Sequence, residues 1–155
     1  MSLRNIVDLK GQIDEATEEL GKDYREALRN VKRVKEKITG LELSISQKRI
    51  STGKEIVELR SAEESLDELT DHQITRSIRI WEVYKQLERD CGERGFAYRG
   101  LEDLRVLCKK TEELSSDLLC YVLARFKRRV ERDIHEHPMR KKAKAPSSFG
   151  ENTSS

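Results

Sequence analysis

Chemistry in this chain would have to come from its three cysteines, its three histidines and a few paired acids. His135 and His137 flank Glu136 just before Pro138, a grouping that suggests a metal site. Residues two apart do not share a helical face, however, and the four-residue spacing of a His-Glu-x-x-His site is missing. The pair reads instead as a helix end, where proline stops the helix and imidazoles suit the negative pole of its dipole. Cys91, Cys108 and Cys120 are too scattered to add ligands, and their odd number predicts free thiols in a reducing compartment. No metal and no cofactor are therefore expected. The acid pairs Glu18/Glu19, Glu63/Glu64 and Glu112/Glu113 are placed on solvated helix flanks, where acid–base work is not expected. The glycines of Gly92-Glu93-Arg94-Gly95 and of Gly95 to Gly100 follow a helix rather than a strand, and neither spacing matches a phosphate-cradling loop. The chain is not expected to be an enzyme.

Function must then lie in architecture. The 155 residues are 35% apolar and 39% charged, a balance that fits long exposed helices better than a globule. With Leu3 at position a, 18 of the 25 a and d positions through Leu87 are apolar, twice the share in the whole chain. No proline precedes Pro138. The period of 3.5 residues predicts a left-handed coiled coil over 1–90, with Ile13, Leu20, Tyr24, Val31, Val34, Ile38, Leu41, Ile45, Leu59, Leu66 and Leu69 along its seam. Such a stripe needs cover from a second copy, another protein or the chain's own later helix. The seam fails over 46–56, where Lys48, Thr52 and Glu55 take core positions beside Gly53, so a bend, a change of partner or a register slip in one continuous helix is expected there. Gln73 and Arg76 form a second polar patch of the kind that fixes register.

A connector at 91–100 carries three glycines together with Phe96 and Tyr98, aromatics expected to plug the end of a helical pair. A second helix is predicted over 101–137, folding back as a hairpin on the end of the first. The joint core would draw on Trp81, Val83, Leu87, Leu104, Leu107, Leu114, Leu118, Val122 and Phe126, because both stripes widen over the lengths that would meet. Beyond it, 138–155 reads as a disordered basic and polar tail. The fold class is all-α.

Net charge is only +2, yet residues 125–144 hold nine basic and three acidic side chains. Arg125, Arg128, Arg129 and Arg132 lie on one broad helical face, and Lys141, Lys142 and Lys144 form a run resembling a short nuclear localisation signal. The longest apolar run has seven residues, far short of a membrane span, and the N-terminus lacks a signal-peptide core. The protein is expected inside the cell, in nucleus or cytoplasm, with the basic run favouring the nucleus. The expected role is a coiled-coil structural subunit or scaffold, forming a homodimer or pairing with a coiled-coil partner. A basic-tailed adaptor for nucleic acid or acidic surfaces and a peripheral membrane-surface protein are the alternatives; the first lacks a reader motif, and the second lacks a strongly aromatic apolar face.

Overall fold

In the computed structural model of the chain, residues 3–47 and 53–136 are described. They form three helices, α1 (Leu3–Gln47), α2 (Gly53–Glu93) and α3 (Arg99–Glu136), with no strand among the described residues. Lys48 to Thr52, His137 and the tail with Lys141, Lys142 and Lys144 lie outside them. The chain divides into two compact units, Met1–Leu119 and Cys120–Ser155.

The main departure from the heptad expectation lies within the first unit. Instead of one helix to residue 90 there are two, and they run antiparallel. Ser44 donates to Glu55 Oε2 at 2.8 Å, while at the far end Arg94 Nη1 donates to the Asn5 carbonyl at 3.0 Å. Each step up α1 is matched by a step down α2. The seam of α1 is thus shielded by residues that the heptad count assigns to the same helix, a cover outside the three that the sequence reading offers. α3 reverses again: Cys108 Sγ contacts the Ile80 carbonyl at 3.8 Å and Ser115 Oγ donates to the Gln73 carbonyl at 3.3 Å.

The turn into α3 follows from its residues. Gly95 adopts φ 64°, a left-handed conformation that costs glycine little. The Phe96 amide donates to the Cys91 carbonyl at 2.9 Å and the Gly95 amide to that of Gly92 at 3.1 Å, the paired bonds of a Schellman cap on α2. Phe96 and Tyr98 then stack at 5.8 Å and pack against the apolar cluster of Leu9, Ile13, Leu20, Tyr84, Leu87, Cys91, Leu104 and Cys108. The Tyr98 hydroxyl donates to Asp14 at 2.6 Å, fastening the plug to α1. A Cβ at Gly100 would run into the Tyr98 ring, so any side chain there would have to displace that ring.

Burial follows the predicted seam along much of its length. Ile13, Leu20, Val31, Ile38, Leu59 and Leu66 are buried, and Tyr24, Val34, Leu41, Ile45 and Leu69 are half-buried. Of the hairpin core, Leu87, Leu104, Leu114 and Leu118 are buried, and Trp81, Leu107 and Val122 half-buried. Three placements need correction. Val83 is 45% exposed and Phe126 is 55% exposed, while Arg125 is only 2% exposed rather than part of a basic surface.

Val83 leaves the core because a straight helix drifts by ~20° per heptad. The residues that follow the d positions are buried along the whole of α2 (Glu63, Thr70, Ser77, Tyr84 and Cys91), while the d positions themselves pass from buried Ala62 through half-buried Leu69 and Arg76 to exposed Val83. On α3 the buried position is Arg125, and Phe126, one residue further on, points away from it. Glu63, read above as solvated, is 1% exposed.

The middle of the first unit is polar. Thr70, Gln73 and Ser77 on α2 are buried, as are Thr111 and Ser115 on α3. Thr70 and Thr111 return their hydroxyls to carbonyls four residues back, at 2.8 and 2.9 Å, and Ser115 shares its proton between the Thr111 and Gln73 carbonyls. The Thr70, Thr111 and Ser115 hydroxyls therefore have acceptors, and the polar patch around Gln73 becomes an internal layer between α2 and α3.

Candidate functional site

Two of the groups that could do chemistry, Cys91 and Cys108, lie in the apolar cluster of the first unit. Cys91 and Cys108 are buried, and burial pushes the Cys108 thiol up from 9.0 to about 11, keeping it protonated and unreactive at neutral pH. Burial pushes the Cys91 thiol up as well. Tyr84 is raised to about 12, first by burial and then by its 2.9 Å hydrogen bond to Glu88. Cys120 is exposed. Among the described residues there is no group of three His, Cys, Asp or Glu side chains that could hold a metal ion, and no helix long and apolar enough to cross a membrane. His135 is exposed in the last turn of α3.

Two surfaces remain. The first belongs to the second unit, where Leu123, Phe126, Val130 and Ile134 recur at intervals of three and four along α3 and are 38–58% exposed. Helical geometry places all four on one face. Lys127 and Glu131, both exposed, lie along one edge of that row, and the Arg129 guanidinium sits over the Phe126 ring at 5.6 Å. Of the predicted basic surface, Arg128 is exposed, Arg129 and Arg132 are half-buried, and Arg125 is buried. The expected basic face is therefore narrower than its residue types suggest, and an apolar row runs beside it.

The second surface is a groove of 530 Å³ in the first unit, between α1 and α2. Ala16, Leu20, Ile80, Val83 and Leu104 give it apolar lining. Glu15, Glu19 and Asp23 line it from α1, and His72, Arg76 and Arg79 from α2. Arg76 Nη2 lies 2.7 Å from His72 Nε2.

Sequence reading missed the groove because its two charged rows are more than 45 residues apart along the chain. Their spacings of three and four are visible, but only the hairpin brings them side by side. Comparison with protein-family models, curated proteins and solved structures returns no match.

Proposed function

We propose that the chain is a non-enzymatic structural subunit of a multiprotein assembly, in which it holds partner helices in place. On this reading the seam residues of α1 and α2 serve an intramolecular antiparallel coiled coil, leaving partner contacts to other faces. The observation that carries the reading is the exposed row Leu123, Phe126, Val130 and Ile134. An amphipathic helix with anchors at such spacings is read by a complementary apolar stripe on a partner helix. Lys127 and Glu131 beside the row favour a partner with one acidic and one basic side chain at its edge.

The test is a quantitative comparison of proteins retained by the tagged chain and by its Leu123→Glu/Phe126→Glu variant. Both side chains are already exposed, so helicity by circular dichroism should be unchanged. Loss of an aromatic anchor and burial of unpaired charge should weaken partner retention by at least about tenfold. An identical set of retained proteins at equal levels would overturn the reading.

A further inference from the structure

We infer that the α1/α2 groove is a self-association surface, taken by the same groove face of a second copy of this chain. The two walls of the groove carry opposite charge. Glu19 and Asp23 lie on one wall and Arg76 and Arg79 on the other; all are exposed except Arg76, which is half-buried. Among the described residues, no ion pair joins the acids of one wall to the arginines of the other within a chain. Each wall therefore offers a row of one sign, and the two rows are complementary to each other.

Symmetry decides how two such faces meet. A two-fold axis running across the helices would set α1 against α1, acid against acid. A two-fold axis parallel to the helices sets α1 of each copy against α2 of the other at the same height. The register fixed by Asn5 with Arg94 and Ser44 with Glu55 puts Asp23 level with Arg76, and Glu19 level with Ile80, next to Arg79. In that arrangement Asp23 and Glu19 of one copy meet Arg76 and Arg79 of the second copy, and the symmetry repeats the pairs. Val83, exposed on the same face, is covered in the process. The dimer is closed and isologous, with the two α1 helices pointing the same way.

The account is tested by sedimentation of the full chain over a concentration series, with helicity measured in parallel. The wild-type chain should dimerise, more weakly as salt rises, since exposed pairs are screened. Glu19→Arg/Asp23→Arg and Arg76→Glu/Arg79→Glu should each weaken association by at least about tenfold. An equimolar mixture of the two variants should regain it as a heterodimer, which also shows that both still fold. Leu123→Glu/Phe126→Glu should dimerise like the wild type, separating this surface from the α3 row. A wild-type chain that stays monomeric throughout, charge-reversed variants that associate as tightly as wild type, or a mixture that fails to associate would each overturn the inference.

Discussion

Replacing Ile13 or Leu118 by alanine should each cost about 2–5 kcal/mol of stability, whereas Val83→Ala should stay within about 0.5 kcal/mol. Ile13 and Leu118 are both 0% exposed, and Val83 is 45% exposed. Removing a buried branched side chain forfeits its transfer free energy and leaves a space that its neighbours fill only in part. Ile13 sits in the cluster with Leu9, Tyr84, Leu87 and Leu104, so its loss is felt by three helices at once. Leu118 also lines a 220 Å³ pocket with Ala27, Val31, Leu69 and Gln73. Urea unfolding of the three variants at one protein concentration, low enough to keep the chain monomeric, gives the comparison. A rod paired with a second copy along its heptad seam would penalise Val83, at a d position, as heavily as Ile13. The antiparallel hairpin separates them.

Converting Gly11, Gly21 and Gly40 together to alanine should raise stability by about 2–3 kcal/mol, since each glycine inside a helix costs roughly 1 kcal/mol against alanine. All three lie within α1. A Cβ at Gly11 or Gly40 would meet nothing within 4 Å, and at Gly21 it would make an ordinary contact with the mobile end of Arg25 at 3.5 Å. Packing thus demands none of them. Gly100→Ala is the contrasting case, because its Cβ would displace the Tyr98 ring that stacks on Phe96 and holds Asp14. A thermal melt of the triple variant showing no gain would mean that α1 is not helical through these positions.

The helical class and much of the buried stripe were legible because they depend on local periodicity. Ile13, Leu20, Val31, Ile38, Leu59 and Leu66 were placed on one face from spacing alone, and that face is the buried one. The reversal before Gly53 was visible only as Lys48, Thr52 and Glu55 in core positions. Heptad counting passed through it because Ile45 and Leu59 keep the same phase on either side, so a continuous rod and a hairpin yield the same tally.

Val83 and Phe126 were misplaced because the count assumes a fixed seam, and the buried faces of α2 and α3 follow other positions. Charged side chains default to solvent in any sequence reading, and for that reason the burial of Glu63 and Arg125 was not anticipated. The surfaces that carry function were the least legible. The row on α3 is periodic, but periodicity alone does not tell an exposed apolar face from a buried one, and the charged groove exists only once distant segments lie side by side.

If α1 folds back along α2, the outer ends of the two helices lie side by side, and a distance between them decides the matter. Asp8 and Arg89 are both exposed, and spin labels can be attached at Asp8→Cys and Arg89→Cys in a Cys120→Ser chain whose two remaining cysteines are buried. The labelled chain is diluted into unlabelled protein so that only distances within one molecule are read. Neighbouring antiparallel helices pack 8–10 Å apart, so the labels should be separated by less than about 25 Å. A single helix through these positions would hold them about 120 Å apart, and the absence of any short distance would contradict the hairpin.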